Sequence, residues 1–151
     1  VMLDGIEDPF NFGQAVRALY AAGIAGLVVR PRSWLSATAV VTRSSGGASE
    51  LMPTAVAETA LQAAEFFRAA GLIVACTARK SAVSIYQADL TRPTFLLIGG
   101  EKRGITRSFL DQADVRLRIP YGRSFDHSLG AAASTAVIAF EVLRQRSGAQ
   151  V

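Results

Sequence analysis

The chain predicts an α/β fold, a parallel sheet flanked by helices on both faces, and three observations carry that prediction. Short apolar runs alternate with amphipathic or small-residue stretches along all 151 residues. The runs are continuously apolar instead of alternating with polar residues, the pattern of strands buried on both faces. Each run is bounded by Gly, Pro or Asp, the residues that punctuate strands.

Taken in order, Val1–Leu3 predicts the first strand and Gly13–Ala22 the first helix, closed by Gly23 at the left-handed cap position. Gly26–Arg30 follows as the second strand, and Ser33–Val41 as a short helix. Pro53–Ala70 reads as a longer helix, with Pro53 in the first turn and Gly71 at the cap. Strands at Leu72–Thr77, Thr94–Ile98 and Val115–Ile119 alternate with a helix at Thr106–Ala113. The small-residue stretch Ser128–Arg146 forms the terminal helix. No internal repeat or linker breaks the pattern, so residues 1–151 read as one domain. In such sheets ligands gather beyond the carboxyl ends of the strands. Here that means the loops after Leu3, Thr77, Ile98 and Ile119.

Composition bounds the function. Half of the residues are apolar and the mean hydropathy is +0.30, which excludes a disordered tail. The longest uncharged stretch, Ser128–Phe140, is shorter than the roughly 18 apolar residues a membrane span needs. No signal peptide is visible, and no membrane association is expected. The single cysteine, Cys76, excludes an intramolecular disulfide framework and a cysteine-based zinc site. It ends the apolar run Leu72–Cys76, so it reads as a buried structural thiol in a cytoplasmic protein; no metal is expected. The net charge is +4, and only Lys80 and Lys102 among the cations are lysines. Guanidinium forks match phosphate oxygens. A polyanionic partner such as nucleic acid and a plain coding bias toward arginine explain that excess equally well.

Two glycine-bearing loops form a candidate cradle for a nucleotide-like ligand: Ile98–Gly104 and Pro120–Gly130. The first nearly satisfies a phosphate-binding loop, but Ile105 stands where the lysine belongs. Asp4–Gly13 contains no G-x-G-x-x-G, so the dinucleotide fingerprint is absent as well. Asn11 is a natural helix cap. Arg17 lies among Ala15, Val16, Ala18 and Leu19, and calls for a carboxylate or a ligand anion as partner. Arg43–Ala48 reads as a polar loop. His127 adjoins Asp126 and Ser128, but adjacent residues on one turn cannot form a hydrolase relay. A solvated or loop-stabilising histidine is the reading there.

At these residues the chain resembles the SpoU/TrmH-like branch of the SPOUT superfamily, RNA ribose 2′-O-methyltransferases that use S-adenosyl-L-methionine. Asp8-Pro9, Asn11, Gly13 and Arg17 look like the first motif. Leu97-Ile98-Gly99, Glu101 and Gly104 look like the second. Ile119-Pro120, Ser128-Leu129 and Glu141, Arg144 and Gln145 look like the third. Ser45, Gly47 and Ala48 resemble a weaker signature. The motifs occur in order and span nearly the whole chain.

The resemblance implies a deep C-terminal trefoil knot and a homodimer that uses the knot region and the last helix. It implies a methyl donor held by Thr77, Ile98, Gly99, Gly100, Gly104, Ile119, Tyr121, Ser128 and Leu129. Asn11, Arg17, Glu101 and Ser128 match catalytic or site-framing positions, with Arg17 directed at the 2′-hydroxyl and its phosphate. The acceptor implied is rRNA or tRNA. One departure stands out: Gly130 replaces the asparagine of the family's Ser-Leu-Asn. The rival reading is therefore a weakened or inactive relative that keeps only RNA binding.

Overall fold

The computed structural model describes residues 1–31, 37–100 and 104–148. Seven strands form one sheet in which every neighbouring pair runs parallel. They are β1 (Met2–Asp4), β2 (Leu27–Val29), β3 (Thr54–Val56), β4 (Ile73–Thr77), β5 (Val83–Ser84), β6 (Thr94–Gly99) and β7 (Val115–Arg118). Their order across the sheet is β3-β2-β1-β6-β4-β7-β5. The chain builds outward from β1 to β3, crosses to β4, and later inserts β6 between β1 and β4.

Alternation along β6 divides the core. Phe95 and Leu97 face one side with Val74, Cys76 and Phe109; Leu96 and Ile98 face the other with Leu3, Val16, Leu19 and Ile138. This is the period-2 geometry of a strand buried on both faces. The first side is covered by α4 (Ala60–Ala69) and α5 (Arg107–Gln112), where Phe67 stacks on Phe95 with ring centroids 5.0 Å apart. The second is covered by α1 (Pro9–Ala21) and α6 (Ala131–Gly148), which pack on each other. The helices α2 (Thr38–Ser45) and α3 (Ala48–Leu51) flank α1.

The helix termini carry recognisable chemistry. Asp8 caps α1 by accepting from the Asn11 amide at 2.7 Å, so Asn11 is not the cap itself. Thr59 caps α4 through the Gln62 amide, and Thr106 caps α5 through the Phe109 amide. Gly23 and Gly71 both lie at positive φ, just past α1 and α4.

Three expected elements differ. Residues 54–56 are not helical: they pair with β2 as the exposed edge strand β3, and α4 begins only after its Thr59 cap. The helix expected over Ser33–Val41 falls partly on residues 32–36, outside the described residues; its visible part begins at Thr38 and continues to Ser45. That extension turns the first half of the Arg43–Ala48 loop into helix, with only Gly46 and Gly47 forming a left-handed corner before α3. The terminal helix starts at Ala131, leaving Ser128 and Leu129 in the preceding loop. β5, two residues long, gave no periodic signal in the sequence.

The end of α6 is fastened to the segment between β5 and β6. Gln145 Nε2 donates to the carbonyls of Ile85 and Ala88, while its Oε1 accepts from the Leu90 amide at 2.9 Å. Arg146 donates to the carbonyls of Leu90 and Arg92. Glu141, although buried, is held by both guanidinium nitrogens of Arg144 at 2.8 Å and by Gln145. A buried carboxylate needs such a set of donors.

Candidate functional site

At the carboxyl ends of β1, β6 and β4 the sheet reaches its topological switch point, where strands diverge to opposite sides. Main chain approaches main chain there. Gly100 donates its amide to the Asp4 carbonyl at 2.6 Å. A Cβ on Gly100 would stand 2.1 Å from the Gly5 carbonyl oxygen, so no side chain fits at that crossing. Gly99 donates to Thr77 Oγ1 at 3.3 Å, joining the ends of β6 and β4. A Cβ on Gly99 would meet Ile105 at 2.8 Å. Ile105, the residue that spoils a phosphate loop, therefore packs against the end of β6. Beside these contacts there is room: a Cβ at Gly104 or Gly122 would meet nothing within 4 Å.

The second loop closes the same end of the sheet. Ala78 donates to the Leu117 carbonyl, which keeps the β4 exit beside β7. Tyr121 Oη accepts from the Leu129 amide at 2.9 Å, so the loop between β7 and α6 folds back on itself. Arg79, from the β4–β5 connection, donates to the Asp126 carbonyl and fixes the loop from the other side. Ser134 donates its amide to the Gly130 carbonyl at 2.9 Å and its hydroxyl to the Leu129 carbonyl. Arg30 and Asp4 form an ion pair of 3.0 Å at the β2 and β1 ends.

The structure thus brings Thr77, Ile98, Gly99, Gly100 and Gly104 to one place, with Tyr121 and Leu129 joined in the adjacent loop. Ile98 is buried with its side chain in the core, so only its main chain can meet a ligand. Ile119 is packed partly against the same core, and Ser128 is exposed. Glu101 lies outside the described residues.

Asn11 and Arg17 lie on α1 and make no hydrogen bond or ion pair with that group among the described residues. Asn11 is exposed on the first turn of α1. Arg17 is exposed too, which corrects the reading of a cation enclosed by apolar neighbours: α1 turns Val16 and Leu19 into the core and Arg17 outward. Its guanidinium makes no hydrogen bond or ion pair among the described residues. It lies over the Gly46 corner, where an added Cβ would sit 3.7 Å from Nε and Cζ. Gly13, one turn earlier on the same helix face, makes this possible. A Cβ there would stand 1.9 Å from Ser44 Oγ, so glycine lets α1 and α2 cross closely. Gln14 adds a hydrogen bond to the Ser44 carbonyl. Arg17 is thus an exposed guanidinium over the Gly46 corner, unpaired among the described residues.

Other polar and apolar features resolve simply. Cys76 is fully buried, and burial pushes its thiol up to about 11 against the opposing charge of Arg116; it is an inert core residue. No group of metal-ligating side chains occurs among the described residues. An apolar cleft of about 520 Å³ opens at the opposite, amino-terminal end of the sheet, beside Leu27, Leu72 and Thr94. Arg146 is the one charged side chain lining it, so it lacks the polar groups that chemistry requires. Gly5 and Arg79 escaped the sequence reading, as did the close helix crossing permitted by Gly13, which was read only as a motif residue. A glycine directly after a strand is a signal for the first, whereas the others depend on which elements meet.

An all-parallel sheet with a glycine crossing at its switch point defines the class: a parallel α/β protein whose main chain meets main chain at the ends of β1 and β6. Residues 1–140 match the model of the SpoU rRNA Methylase family. The chain belongs to that family. It is 35% identical over 147 residues to 23S rRNA (guanosine-2′-O-)-methyltransferase RlmB of Pseudomonas syringae pv. tomato, covering 97% of this chain and 58% of that protein. It is 33% identical to an uncharacterized tRNA/rRNA methyltransferase of Mycolicibacterium smegmatis, covering 97% and 46%. The chain thus spans about half of the length of such curated relatives. Among solved structures, the SpoU methyltransferase AviRb from Streptomyces viridochromogenes, in complex with the cofactor AdoMet, superposes with a TM-score of 0.84. That comparison has 28% identity and covers 97% of this chain and 57% of that one.

Proposed function

We propose that this chain is the methyl-transferring part of an RNA ribose 2′-O-methyltransferase that takes S-adenosyl-L-methionine as donor. The family match over residues 1–140, with the glycine crevice at the switch point, carries the reading. AviRb holds AdoMet in a structure of this fold, and the related RlmB proteins are named for methylating 23S rRNA. Relatives named as enzymes favour catalysis over a binding-only role.

The residues suit the donor. Open space beside Gly104 and Gly122, together with the main chain of Ile98, Gly99, Gly100 and Ile119, admits a flat, polar ligand. Thr77, Tyr121, Ser128 and Leu129 complete its surround. The donor supplies a methyl group on a sulfonium that is already electrophilic. The chain's own part is to orient the acceptor and help its proton depart. Arg17 polarises the 2′-hydroxyl and holds the adjacent phosphate. A guanidinium, with a pKa above about 12, is a poor base, so the proton goes to water or phosphate. Asn11, Glu101 and Ser128 frame that arrangement.

The same reading takes residues 1–151 as one domain, acting in the cytoplasm as a knotted homodimer. The insertion of β6 between β1 and β4 supports the knot, with α6 pinned beneath the β5–β6 segment. Phe140 and Leu143, exposed on α6, together with Tyr20 on α1, support the dimer surface. No helix among the described residues is long and apolar enough to cross a membrane.

Methyl incorporation into bulk RNA, measured for wild type and Arg17→Ala, tests the activity. Incorporation in wild type, with loss in the variant and unchanged S-adenosylhomocysteine binding, is expected. Equal background in both refutes it.

A further inference from the structure

The loop ahead of α6 carries an exposed ring, Phe125, that neither the core nor the donor crevice requires. Phe125 is 56% exposed, with the ring of Tyr121 6.2 Å away on one side and His127 edge-on at 5.5 Å on the other. Exposed rings in a mobile loop would scatter. This loop is instead tied down, by the Leu129 amide on Tyr121 Oη and by Arg79 on the Asp126 carbonyl. Exposed cations flank it along the chain: Arg118 at the end of β7, Arg123 in the same loop, and Arg79, whose guanidinium reaches the Asp126 carbonyl, with Lys80 next to it in sequence. Asp126 is the one acid between Arg123 and Ser128.

A rigid, solvent-facing π surface flanked by cations is the arrangement that single-stranded nucleic acid recognises, bases stacking while the backbone follows the charges. Paired bases hide their faces, so such a platform serves an unpaired nucleotide. We propose that Phe125, supported by Tyr121 and His127, stacks an unpaired base of the RNA next to the donor crevice and selects single-stranded over duplex acceptors. This rests on the RNA-methylating role proposed above, and makes Phe125 a substrate-selecting residue, not a catalytic one.

The test measures binding of a mixed-sequence single-stranded RNA oligomer and of the same oligomer in a duplex, at fixed salt, for wild type, Phe125→Ala, Phe125→Leu and Phe125→Trp. Wild type is expected to prefer the single strand. Phe125→Ala should weaken single-strand binding by roughly five- to hundredfold, the range for loss of one base–aromatic stack. Phe125→Leu keeps apolar bulk without a π face and should fall nearly as far; Phe125→Trp should retain affinity. Duplex binding, S-adenosylhomocysteine affinity and oligomeric state should not move. Equal weakening of single strand and duplex overturns the inference, as does single-strand affinity within twofold of wild type for Phe125→Ala. A lost S-adenosylhomocysteine affinity would make the loop a donor lid instead, and a changed oligomeric state would make it a subunit contact. Absence of S-adenosylhomocysteine binding in wild type defeats the methyltransferase reading separately and leaves the RNA comparison intact.

Discussion

Replacing Gly100 by alanine strikes the narrowest point of the candidate site. The new Cβ would lie 2.1 Å from the Gly5 oxygen and 2.4 Å from its carbonyl carbon, where ordinary contact begins at 3.4 Å. Both obstacles are main chain, so no rotamer change relieves them. The ends of β1 and β6 must part by about 1.3 Å, the shortfall between those distances. Parting breaks the 2.6 Å hydrogen bond from Gly100 to the Asp4 carbonyl. Overpacking of this kind destabilises by about 1–3 kcal/mol and the lost hydrogen bond by about 0.5–1.5 kcal/mol, together about 1.5–4.5 kcal/mol. In a chain of this size that lowers Tm by roughly 3–18 °C. Thermal unfolding followed by circular dichroism reads the first effect. Calorimetric titration with S-adenosylhomocysteine reads the second, a lost or strongly weakened affinity. Gly148→Ala, whose Cβ meets nothing within 4 Å, is the control and should leave both unchanged. A Gly100→Ala protein that melts within about 2 °C of wild type and binds normally would refute the crossing as a close-packed site.

Three further outcomes are expected. Gln145→Ala removes partners from the Leu90 amide and from the Ile85 and Ala88 carbonyls. It should destabilise by about 1–3 kcal/mol and raise amide exchange at Leu90. Glu141 is held below its ordinary value of 4.5, chiefly by its hydrogen bonds from Arg144. Because its folded pKa is depressed, its contribution is complete above 4.5 and fades as pH falls through the lower folded value. The Tm gap between wild type and Glu141→Gln should therefore be flat around neutrality and narrow only in acid; a gap that closes above 4.5 contradicts this. Gly130→Asn restores the amide that the family motif carries and should raise methyl incorporation at unchanged donor affinity. A fall in rate would show that this loop has settled on another arrangement.

Much of the sheet was legible because its strands are local signals. Leu72–Thr77 and Thr94–Ile98 are apolar but for a threonine and became largely buried strands, and Val115–Ile119, though it carries Arg116 and Arg118, became β7, each within a residue or so. Residues 54–56 show the limit. Thr-Ala-Val after a proline fits either a helical first turn or a strand, and pairing with β2 decided for the strand. β5 is too short for any periodicity and exists because β7 offers it an edge. In the site, Gly99 and Gly104 were named from the motifs, and Gly100 and Thr77 from what the resemblance implies; Gly5 was not. Arg17 was named too, but its surroundings were misjudged: sequence neighbours are apolar, while the helix turns it away from them.

The sequence by itself determined the alternation of strand and helix, the left-handed caps at Gly23 and Gly71, the burial of Cys76 and the family motifs. These follow from local propensity, periodicity and short spacing. Only the tertiary structure decided that β6 enters between β1 and β4, that Gly5 meets Gly100, and that Arg17 rests unpaired on the Gly46 corner. It alone set the rings of Tyr121, Phe125 and His127 together facing solvent, with Arg79 holding the Asp126 carbonyl beside them. Those are contacts between segments distant in sequence or turns without periodicity, settled by the packing of the whole chain.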